Sequence, residues 1–112
     1  MMVDQPGRGA STWSRAAALL ARQALEAALE DFWRLKGPGI ETANMRSQLL
    51  CLPILLGDAA LAGRVAYAWS ALTRACHHHP YELAPVTPEL TRWLDVTEDL
   101  IVVIEQRYGA KG

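Results

Sequence analysis

The chain has 112 residues, 51% of them apolar and 21% charged, with eleven basic against twelve acidic residues and a formal charge of −1. That length holds one domain around one core, and the apolar share excludes a disordered chain. The near-neutral balance excludes an overall positive field that would draw in nucleic acid, so RNA binding would need a local patch and no DNA binding is predicted.

An apolar share rich in Ala and Leu points to an all-α fold. Cys51 and Cys76 sit inside helical patterns without a disulfide spacing, so both read as reduced, buried thiols. The longest uncharged apolar stretch, residues 49–57, contains Pro53 and is far shorter than the roughly 20 residues that a membrane span needs. No charged-then-apolar leader opens the chain, and the expectation is a soluble, cytoplasmic protein without a membrane partner.

Residues 1–10 carry Pro6, Gly7 and Gly9 and read as a mobile tail, leaving residues 11–109 as the single domain. Ser11 is the expected N-cap of a first helix whose Trp13, Ala17, Leu20, Ala24, Ala28, Phe32 and Leu35 recur at helical steps up to Gly37-Pro38. Arg22, Glu26, Glu30 and Arg34, four apart, predict its solvated side. Thr42 is the expected cap of a second helix through Met45, Leu49 and Leu52, which Pro53 should kink or break.

Asp58 predicts the start of a third helix with the seam Leu61, Val65, Ala68, Leu72 and Cys76, widened by Trp69. Gly63 in its middle suggests a close helix approach. Pro80 stops this helix, placing Arg74 in its last turn and His79 in the following loop. Thr87-Pro88-Glu89 opens a fourth helix that runs to about Tyr108. Its first stripe is Leu90, Leu94, Thr97, Ile101, Ile104 and Tyr108, and its second is Trp93, Leu100 and Val103. So wide an apolar face predicts burial on both sides, one in the core and the other against a second copy. The expected architecture is a four-helix bundle.

Chemistry concentrates between Arg74 and Tyr81, where the chain reads Arg-Ala-Cys-His-His-His-Pro-Tyr. A guanidinium fork, imidazoles that exchange protons near neutral pH and a phenol stand within eight residues. Cys76-x-x-His79 has a ligand-like spacing, yet no second Cys/His pair exists to complete a zinc site, so no metal and no cofactor is expected. Cys76 as a nucleophile is disfavoured, because a helix C-terminus repels a thiolate.

Arg74, four residues, His79, one residue and Tyr81 together resemble the R-x4-H-x-Y signature of HEPN domains, in particular the HepT-like toxins of bacterial toxin–antitoxin pairs. The resemblance covers residues 58–108, with a helix before the motif and a capped helix after it. It implies a HEPN-like bundle and a metal-independent endoribonuclease with a composite site at a homodimer interface. By position it implies that Arg74 holds the scissile phosphate, that His79 transfers the proton, and that Tyr81 is the residue a nucleotidyltransferase-type antitoxin modifies with AMP. His78 is an accessory candidate. Two other readings stand beside it. One is a non-catalytic dimerisation or partner-binding module, in which His77 and His78 favour the helix C-terminus by charge, Arg74 pairs with Glu82 or Glu89, and Arg64 and Arg92 are solvated. The other is a metal-dependent sensor.

Overall fold

The computed structural model describes residues 8–76 and 87–108, with side chains from Arg15 in the first helix and from Pro88 in the last. The described residues form four helices, α1 (Arg8–Lys36), α2 (Met45–Leu56), α3 (Ala59–Cys76) and α4 (Thr87–Tyr108), with a 3-10 turn at Ile40–Thr42. The fold is an all-α four-helix bundle, and there is no strand among the described residues. No described helix is long and apolar enough to cross a membrane.

The three long helices pack pairwise on one another, and the short α2 packs on α3. Arg15 near the start of α1 reaches Ala75 at the end of α3, and Glu26 further along reaches Trp69, so these helices are antiparallel. Arg64 in the first half of α3 pairs with Asp99, while Arg107 late in α4 reaches the Leu56 carbonyl at the end of α2. Hence α3 and α4 are also antiparallel, and α1 and α4 run parallel.

Local signals set most helix boundaries. The Gly37 N–H donates to the Trp33 carbonyl at 2.8 Å as α1 ends at Gly37-Pro38. Gly57, at φ +71°, closes α2 in the left-handed conformation that favours glycine. One residue later, Asp58 Oδ1 accepts from the Leu61 N–H at 3.0 Å and opens α3 as expected. Three signals resolve differently. α1 begins at Arg8, so residues 8–10 are helical and Ser11 lies inside the helix rather than capping it; Ser and Thr cost a helix interior far less than Pro. Asn44, not Thr42, caps α2, its Oδ1 accepting from the Ser47 N–H at 2.8 Å, while the Thr42 hydroxyl closes the 3-10 turn onto the Gly39 carbonyl at 2.7 Å. Pro53 does not break α2, which continues through it to Leu56 with Pro53 on its exposed side.

The core draws on Leu25, Leu29, Phe32 and Trp33 of α1, Leu52 and Leu56 of α2, Val65 and Leu72 of α3, and Trp93, Val96, Leu100 and Ile104 of α4. On α1 this is a correction: Leu20 and Leu35 of the expected seam are 66% and 52% exposed, and the buried face is rotated toward Leu25 and Leu29. Alanine is so frequent on this helix that several apolar stripes are available, and the stripe with the bulkiest side chains gains most from burial. On α4 the core lies where the two expected stripes meet, and the flank holding Leu94 and Ile101 stays largely in solvent.

One polar group is buried at the α2 end of the core. Trp33 Nε1 donates to Gln48 Oε1 at 2.9 Å, and Gln48 Nε2 donates to the Ala43 and Glu41 carbonyls at 2.8 and 3.3 Å. This satisfies both the indole and the amide, as a buried polar pair requires. The ring of Phe32 meets that of Trp33 edge-on at 5.0 Å.

Two further expectations fail. A Cβ on Gly63 would meet nothing within 4 Å, so no helix approaches there. Cys51 is exposed, whereas Cys76 is half-buried against the core, and both are free thiols.

Candidate functional site

The end of α3 is where the sequence concentrates its chemistry, and Arg74 occupies its last turn as expected. Positions 61, 65, 68 and 72 turn inward, so the helical period carries Arg74 to the opposite, exposed side. Its guanidinium makes no hydrogen bond or ion pair among the described residues, so the pairing of Arg74 with Glu89 is not formed, and Glu82 lies outside the described residues. His77, His78, His79 and Tyr81 lie outside the described residues.

Two arginines from α1 join this end. Arg15 Nη1 donates to the Ala75 carbonyl at 3.5 Å, supplying positive charge to a helix C-terminus whose carbonyls favour it. Arg22 is ion-paired with Glu26 at 3.6 Å, and the same Glu26 carboxylate accepts from Trp69 Nε1 at 2.8 Å. Arg22 Nε and the Thr73 hydroxyl are buried without a hydrogen-bond partner. Arg15 and Arg22 of α1 thus approach the packed side of the last turns of α3, away from the outer side that carries Arg74, and Glu26 ties down Arg22. Sequence spacing did not reveal this grouping, since Arg15 and Ala75 are sixty positions apart; the antiparallel packing of α1 on α3 creates it. Of the side of α1 expected in solvent, Glu30 and Arg34 are exposed and paired at 2.9 Å, whereas Arg22 and Glu26 are half-buried against α3.

Cys76 belongs to this group. Burial pushes its thiol above the ordinary range, the Arg22 charge pulls it back, and Glu26 adds to the rise. A raised thiol is a poor nucleophile at neutral pH, in keeping with a small apolar side chain packed against the core. Among the described residues no group of three or more His, Cys, Asp or Glu could hold a metal ion.

Arg64 is bonded to Asp99 at 2.7 Å rather than merely solvated, along a shallow groove of about 290 Å³ between α3 and α4. Arg92 is exposed. Comparison of the chain with family models, with curated proteins and with solved structures finds no significant match.

Proposed function

We propose that the protein is a HEPN-like, metal-independent endoribonuclease, acting as the toxin of a toxin–antitoxin pair, with its site completed by a second copy. The observation that carries this reading is the exposed guanidinium of Arg74, without a partner among the described residues, at the end of the helix that precedes His79 and Tyr81 in the chain. A guanidinium without a protein carboxylate can take a phosphate in its planar fork. In the proposed reaction the ribose 2′-hydroxyl attacks the adjacent phosphorus and the bond to the 5′-oxygen breaks. The products are a 2′,3′-cyclic phosphate and a 5′-hydroxyl. Arg74 stabilises the charge on the non-bridging oxygens, and His79 takes the 2′ proton or gives one to the leaving oxygen. Tyr81 is the proposed AMP acceptor for an antitoxin, and His78 an accessory donor.

Purified protein with labelled single-stranded RNA and a metal chelator tests this directly. Cleavage with cyclic-phosphate ends is expected, falling by two orders of magnitude or more in Arg74→Ala and in His79→Ala, as loss of a transition-state donor typically gives. Undiminished cleavage in both variants would overturn the assignment.

A second reading, a non-catalytic dimerisation or partner-binding module, is favoured by the apolar flank of α4, where Leu94 and Ile101 are 44% and 38% exposed. A dimer without ribonuclease activity that Leu94→Asp dissociates would support it over the first.

A further inference from the structure

The solvent side of α3 holds a second feature in line with Arg74. Gly63, Tyr67, Ser70 and Arg74 follow one another at steps of four, three and four, and all are exposed. Two turns of helix bring position 67 almost directly above position 74, about 10.5 Å along the axis. Tyr67 is 70% exposed, and among the described residues it makes no hydrogen bond or ion pair. Its neighbours along the face, Gly63 and Ser70, are small, leaving the ring approachable from both ends of the stripe.

An exposed ring and a guanidinium unpaired among the described residues, on one line, are two elements that bind single-stranded nucleic acid. The cation holds the backbone, and the ring offers a face on which an unpaired base can stack. We infer that the outer face of α3 is a binding track for single-stranded RNA, with Tyr67 stacking a base next to the phosphate held by Arg74. The inference rests on the RNA reading of Arg74 and adds to it a binding residue, a direction along the helix and a preference for unpaired strands. A duplex cannot use the ring, because its bases are already stacked on one another. Tyr67 is a binding residue and takes no part in the proton transfers.

The test uses a short, fluorescently labelled 2′-O-methyl RNA, which lacks the free hydroxyl needed for self-attack and therefore survives during titration. Wild-type protein should bind it, and Arg74→Ala should weaken binding. Tyr67→Ala should raise Kd by about 5- to 150-fold, the range that loss of one stacked base produces. Tyr67→Phe should bind like wild type, because stacking uses the ring and not the hydroxyl. All three variants alter exposed side chains, and unchanged circular dichroism and melting will verify that they fold. If Tyr67→Ala binds as tightly as wild type while Arg74→Ala is impaired, the stacking role is refuted and the RNA reading survives. No binding by wild-type protein would remove both. A Tyr67→Phe defect equal to that of Tyr67→Ala would assign the residue to hydrogen bonding and refute stacking.

Discussion

The two ends of the bundle treat their polar groups in opposite ways. At the α2 end, Trp33 and Gln48 are buried and each finds a partner within the fold. At the end of α3, Arg74 is exposed and makes no hydrogen bond or ion pair among the described residues, while Arg22 Nε, ion-paired with Glu26 at 3.6 Å, and the Thr73 hydroxyl are buried without a hydrogen bond. Satisfied groups hold a structure together, whereas an exposed group without a partner keeps its bonding capacity. The contrast assigns stability to the α2 end and leaves the Arg74 guanidinium open to solvent.

Substitutions can break that contrast, and the largest effect is expected at the closed end. Trp33→Ala should cost about 3–5 kcal/mol, the usual loss for a large buried aromatic; thermal melting will measure it, and a loss below 1 kcal/mol would contradict the role given to this end. Gln48→Ala leaves the indole N–H buried and should cost about 1–3 kcal/mol, read from the urea midpoint. Gly63→Ala should act in the other direction. The site is exposed, has no positive φ and offers an added Cβ open space, so a gain of up to about 1 kcal/mol is expected in the same urea measurement. Arg74→Ala should change stability by less than about 0.5 kcal/mol, even as it removes RNA cleavage; a large fall in melting temperature would make Arg74 structural.

The two thiols sharpen the comparison with the least perturbation. Limiting alkylation at neutral pH should label exposed Cys51 before Cys76, as peptide mass spectrometry will show. Because the folded-state pKa of Cys76 lies above its unfolded value, the unfolded chain ionises first as pH rises. Stability should therefore decline above about pH 9, near the ordinary thiol range, and Cys76→Ala should reduce that slope.

What the sequence disclosed divides along similar lines. Asp58 and Gly57 act through groups only a few positions away, so their effect on α2 and α3 was legible. The position of Arg74 in the last turn of α3 was legible for the same reason. The buried face of α1 was not, because its alanines fit more than one stripe and only packing against α3 and α4 selects Leu25 and Leu29. Gln48 gave no signal, since a glutamine on a helix is ordinarily a surface residue and its meeting with Trp33 depends on how the turn at Ile40–Thr42 folds back. The approach of Arg15 and Arg22 to the end of α3 likewise arises from helix packing, and no spacing along the chain announces it.

The parallel course of α1 and α4 has a practical corollary. Three long helices cross the molecule, so the chain enters beside Arg74 and leaves α4 at the other extremity, near Gly57. Twenty-two residues of α4 separate the two by about 33 Å. An appendage attached beyond Tyr108 is carried away from the Arg74 end, whereas one joined ahead of Arg8 is delivered to its doorstep. Placement of a purification handle or a fused partner should accordingly govern whether large substrates can reach that end.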